Sequence, residues 1–168
     1  MSSAPSPVSN PEAAPKGAPT AWCDLIALAA AEVFDIMVGA KITSARCDRQ
    51  KQQGVTAMLG FAGIPCGVFS VRCSWMAATA IAARMLGAEP STLPVEQVCD
   101  AMGEICNMVA GSLKTRLSDA GAGCMISIPT VVRGIDYEVR CLACDSSFSV
   151  SMEFEGEGVL FDLELQSS

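Results

Sequence analysis

Histidine is absent from the 168 residues. This removes imidazole acid–base chemistry, histidine-based nucleophile triads and histidine metal ligands. Basic charge is scarce: 11 Lys and Arg stand against 18 Asp and Glu, a net charge of −7. Phosphate-backbone binding needs clustered cations, so nucleic acid is not an expected partner. The same acidity argues against adsorption to an anionic membrane. No long uninterrupted apolar run exists. The stretch from Leu25 to Val38 is broken by Glu32 and Asp35 and is too short and charged to span a bilayer. Residues 1–19 carry no apolar stretch of the signal-peptide kind. They are mostly Ser, Pro and Ala, cannot bury enough surface to offset ordering entropy, and read as a disordered tail.

What is present is a domain's worth of apolar residues, 51 % of the chain. Residues 20–168 are long enough for one core without metal or disulfide staples. Nine cysteines are many for this length. In a cytoplasmic protein, the expected location, they stay reduced and most behave as small buried hydrophobes. Cys141 and Cys144 form a single C-x-x-C. With no second pair and no histidine, it is a weak zinc or redox signal.

Periodicity organises the rest. Leu25, Ile26, Leu28, Ala29, Val33, Ile36 and Met37 predict a helix from Thr20 to about Gly39. Residues 40–50 suit an edge strand. Val55–Phe61 and Gly67–Cys73 read as a hairpin joined through residues 62–65. Ser74 is placed to cap a helix running to Leu86, with Gly87 as its stop. A second long helix is predicted from Pro94 to Leu117. Cys124–Pro129, Val131–Val132, Ser147–Phe154 and Val159–Leu165 then read as strands, with Glu155–Gly158 as a hairpin loop. The fold class is α/β in the α+β sense: long helices packed on a mixed or antiparallel sheet.

The helix over residues 94–117 carries the chemistry. At about 100° per residue, Val98, Met102, Ile105, Val109 and Leu113 share one side. Asp100, Glu104, Asn107 and Gly111 form a stripe on nearly the opposite side, facing water. Glu104 and Asn107 are i, i+3 neighbours with Cβ atoms about 5–6 Å apart. Gly111 leaves the backbone bare for a close approach. A Glu-x-x-Asn on a helix is most often just a solvated face. A faint internal repeat accompanies it: Glu32-Val-Phe-Asp35-Ile-Met-Val-Gly39 matches Glu104-Ile-Cys-Asn107-Met-Val-Ala-Gly111 as Glu-x-x-[Asp/Asn]-x-x-x-Gly.

Asp100-Ala-Met-Gly-Glu104-Ile-Cys-Asn107, followed by Pro129, resembles the signature of the CheC/CheX/FliY chemotaxis phosphatases. The strings Asn107-Met-Val-Ala-Gly-Ser and Ile126-Ser-Ile-Pro129 are similar to CheX in particular. Two features depart from the pattern. The Asn107–Pro129 spacing is one residue short, which a deletion in the 118–123 loop explains. Asp35 stands where a second site would need Asn, and CheX-like members are understood to keep one site. The resemblance implies a phosphatase acting on the aspartyl phosphate of a CheY-like receiver in chemotaxis or two-component signalling. Glu104 and Asn107 would be catalytic, Asp100 and Gly111 binding, and Pro129 structural. No cofactor or metal of its own is implied, Mg²⁺ being expected on the receiver. A homodimer is also implied. The competing reading is a catalytically silent module that binds a receiver or flagellar-switch partner.

Overall fold

The computed structural model describes residues 19–46, 54–117 and 123–166. The expected tail, residues 1–19, lies outside them except for Pro19. That residue opens helix α1 (Pro19–Val33), which runs into a π-helical turn, Phe34–Val38. Gly39 ends the turn with φ 64°, a conformation that favours glycine. Strand β1 (Thr43–Ser44) is followed by the hairpin β2 (Gly54–Ala62) and β3 (Gly67–Ser74). Helix α2 (Trp75–Leu86) comes next, its N-terminus capped as the sequence suggests. Ser74 Oγ accepts from the Ala77 N–H at 3.0 Å and donates to the Glu157 carboxylate at 2.7 Å. A 3₁₀ turn (Pro90–Thr92) leads into α3 (Val95–Arg116). Strands β4 (Met125–Ile126), β5 (Thr130–Gly134), β6 (Ser146–Phe154) and β7 (Glu157–Leu165) complete the chain.

The seven strands form one sheet in the order β1-β6-β7-β3-β2-β4, with β5 also paired to β2. Every pairing among the described residues is antiparallel, so the mixed alternative drops out. Helices α1, α2 and α3 cover one face. Alternation along the strands sends Val55, Ala57, Leu59, Phe69, Val71, Val150, Met152, Phe154, Phe161 and Leu163 into the core beneath them. Phe34 is fully buried there and packs edge-on against Phe154 and Phe161, at centroid distances of 5.6 and 6.4 Å. Alanines at 77, 78, 82 and 83 let α2 lie close to its neighbours.

Two sequence expectations change. The hairpin loop at residues 155–158 tightens to a two-residue turn. Glu155 and Gly156 both take positive φ, 50° and 83°, as the twist of a tight hairpin demands. The strand expected over Cys124–Pro129 stops at Ile126. Ser127 then bonds Gly60 twice: its N–H donates to the Gly60 carbonyl at 2.9 Å, and its Oγ accepts from the Gly60 N–H at 2.8 Å. Pro129 has no N–H to continue the ladder. Ile128, between them, is 89 % exposed.

The opposite face of the sheet is partly covered by residues 135–145. Thr56, the one buried polar side chain among the described residues, pairs with the Tyr137 hydroxyl at 2.7 Å. It also accepts from Arg72 Nε at 3.1 Å.

Candidate functional site on helix α3

Helix α3 lies against α1 and α2 and over β2, β3 and β5. Its underside is all core: Val98, Met102, Ile105, Cys106, Val109 and Leu113 are fully buried. That leaves one arc for solvent. Asp100, Glu104 and Asn107 are exposed on it, and Gly111 is half-exposed. A Cβ placed on Gly111 would meet nothing within 4 Å, so the helix backbone is open to an incoming surface. Among the described residues, no protein group bonds to the Glu104 or Asn107 side chains. An acid and an amide thus stand side by side, unspent, on a helix whose other face is locked in the core.

Pro129 reaches this site through the break after β4. A Cβ on Gly103 would lie 3.5 Å from Val131 Cγ2 and 3.8 Å from Pro129 Cβ. The Pro129 segment therefore rests against α3 one residue before Glu104. Ile128 and Met125, 89 % and 70 % exposed, stand in the same segment. Sequence reading missed their exposure because they sit in a strand-like run. The only hint was a proline that must end the ladder.

The thiols near the stripe are poor nucleophiles. Burial pushes the Cys99 thiol up. Cys106 is pushed up to about 12 by burial, and its S–H points at the Ala57 carbonyl, 3.5 Å away. Acid, amide and bare backbone are what the site offers.

The related pattern on α1 is differently placed. Glu32 accepts from Ser112 Oγ at 2.7 Å and pairs with Arg116 at 2.9 Å, both on α3. These hydrogen bonds and the guanidinium charge hold its carboxyl below the usual range. Asp35 is exposed on the π-helical turn. Glu32 thus fastens α1 to α3.

Comparison with known proteins agrees with this architecture. A crystal structure of the chemotaxis protein CheX from Vibrio vulnificus superposes with a TM-score of 0.76 at 22 % identity, covering 90 % of this chain and all of that one. CheX in the CheX–CheY–BeF3–Mg²⁺ complex from Borrelia burgdorferi gives 0.71 at 17 %, covering 87 % and 98 %. FliY from Thermotoga maritima gives 0.57 at 19 %, covering 85 % and 89 %. At these identities the likeness shows the fold. None of the curated protein sequences compared matches the chain. The family model "Chemotaxis phosphatase CheX" matches residues 55–153. That span takes in more than half of the chain, including β2, β3, all of α3 and Pro129, and the chain therefore belongs to the CheX family of chemotaxis phosphatases.

Proposed function

We propose that this protein hydrolyses the aspartyl phosphate of a CheY-like receiver domain, with Glu104 and Asn107 as its working side chains. The observation that carries the reading is their juxtaposition, with no protein partner among the described residues, on the exposed stripe of α3 in a member of the CheX family. The CheX–CheY complex of a structural relative supports a receiver as the partner.

Phosphoryl transfer to water needs an in-line nucleophile, a held phosphoryl group and neutralised charge. A receiver of this type supplies Mg²⁺ and a lysine of its own. The helper has to place the water. The Asn107 carbonyl can accept one hydrogen from a water and turn its lone pair toward phosphorus. Being uncharged, it is not repelled by the phosphate as a carboxylate would be. Glu104 is suited to a charge-assisted bond with the receiver's lysine, which anchors α3 over the phosphorylation pocket. Gly111 lets the receiver approach the helix backbone, and Asp100 rims the contact. Pro129 fixes the flank of α3. The reading has the protein acting in the cytoplasm, as a homodimer, with no cofactor of its own.

The test is phosphate release from a phosphorylated receiver with Mg²⁺ and catalytic amounts of protein. Wild type is expected to accelerate turnover, while folded Asn107→Ala and Glu104→Ala do not. A receiver that binds but keeps its phosphate would sink the catalytic reading and leave a docking module.

A further inference from the structure

The C-x-x-C motif plays no part in the α3 site. It lies on the opposite face of the sheet, and the structure gives it a third partner. Cys141 and Cys144 face each other across one turn, joined as a disulfide, with Cα atoms 5.8 Å apart. Glu164 stands beside them on β7, an inner strand that pairs Glu164 with Val68 on one side and Ser147 on the other. Its carboxylate accepts from the Cys141 N–H at 3.1 Å. The two Sγ atoms and a Glu164 carboxylate oxygen all lie within 4.8 Å of one another, and all three residues are half-buried.

We propose that, once a thiol or dithiol reductant has cleaved the disulfide to two thiols, the chain binds one thiophilic divalent cation of the zinc type here. The Cys141 and Cys144 thiolates and the Glu164 carboxylate are the protein ligands, and water takes the fourth position. Zinc holds sulfur at about 2.3 Å and carboxylate oxygen at about 2.0–2.2 Å in a tetrahedron, which spaces donors within the radius seen. A disulfide accounts for two of the three groups. The Glu164 carboxylate is held toward the two sulfurs by the Cys141 N–H, as an outer hydrogen bond orients a ligand. Two thiolates and a carboxylate leave one excess negative charge on a divalent ion. The adjoining cleft of about 110 Å³ is lined by Arg72, Arg140 and Asp162; Arg140 is already paired with Glu138 at 2.8 Å, which leaves Arg72 to offset part of that charge. That cleft also gives room for the fourth ligand. Binding transfers the two thiol protons to solvent, so affinity rises with pH.

The experiment is a Co²⁺ titration of the full chain, reduced and freed of metal, followed by Zn²⁺ displacement. One equivalent is expected, with the thiolate charge-transfer and visible bands of a tetrahedral site, lost in Cys141→Ser and Cys144→Ser. Glu164→Gln should weaken binding at least about tenfold, the lower end of what an outer-shell change costs. Cys99→Ser, on α3, should bind as wild type does. A variant-free check is Zn²⁺ protection of Cys141 and Cys144 from alkylation, read by mass spectrometry. Absence of uptake, uptake that survives loss of Cys141, indifference to Glu164→Gln, or a disulfide that resists reduction in the folded protein would each overturn the site.

Discussion

Helices α1 and α3 carry the same eight-residue pattern, yet the fold uses the two copies differently. On α3 the pattern lies in unbroken α-helix, so Glu104, Asn107 and Gly111 share one solvent-facing arc. On α1 it crosses from α to π geometry: Glu32 belongs to the regular helix, Asp35 to the wide turn, and Gly39 to the left-handed stop. Glu32 is bound by Ser112 and Arg116, whereas Glu104 has no such partner among the described residues. A motif of this kind becomes a site only where the backbone keeps its members in line and the neighbours leave them unbonded.

The sharpest break in the comparison should come from the buried end of the α1 copy. Phe34→Ala empties a position in the middle of the core and should cost about 3–5 kcal/mol of stability, measured by urea unfolding. Asn107→Ala should leave stability nearly unchanged while lowering receiver dephosphorylation by about 100-fold, the cost of a misplaced reactant. Asp35→Ala should leave that rate as it was. The two glycines should move in opposite directions. Gly111→Ala meets open space in mid-helix and should raise stability by up to about 1 kcal/mol while weakening receiver binding. Gly39→Ala puts a Cβ on a left-handed residue and should lower stability by about 1–2 kcal/mol. Paired thermal melts decide both. The smallest effect belongs to Glu32. Its folded pKa is depressed, so its contribution is present above the unfolded pKa and fades as pH falls through the folded one. Glu32→Gln should therefore melt slightly below wild type near neutrality, and the two curves should converge in acid.

Much of the fold could be read because its signals are local. Runs of apolar and small residues mark β2 and β3, and period-two apolar residues mark β6 and β7. Ser74 and Gly87 mark the ends of α2. The outward stripe of α3 follows from a filled opposite side. Other features depend on contacts between distant residues. The π-helical turn leaves no mark in a 3.6-residue repeat. The early end of β4 rests on a Ser127 hydroxyl taking a backbone role at Gly60, although Pro129 hinted at it. Tyr137 closes over Thr56 from 81 residues away. The engagement of Glu32 needs α1 docked on α3 before it exists. Glu164 was invisible as a partner for Cys141, because only the lie of residues 135–145 over the sheet brings the Cys141 N–H to its carboxylate.

The solvent arc of α3 rides on a helix whose other side is sealed by Ile105, Val109 and Leu113. Its amides can exchange with solvent only when the core opens, so protection around Glu104 and Asn107 should approach that of the whole domain. A partner then meets a surface already in its final shape, and little ordering entropy is lost on contact. On heating, such a surface keeps its form until the domain itself gives way.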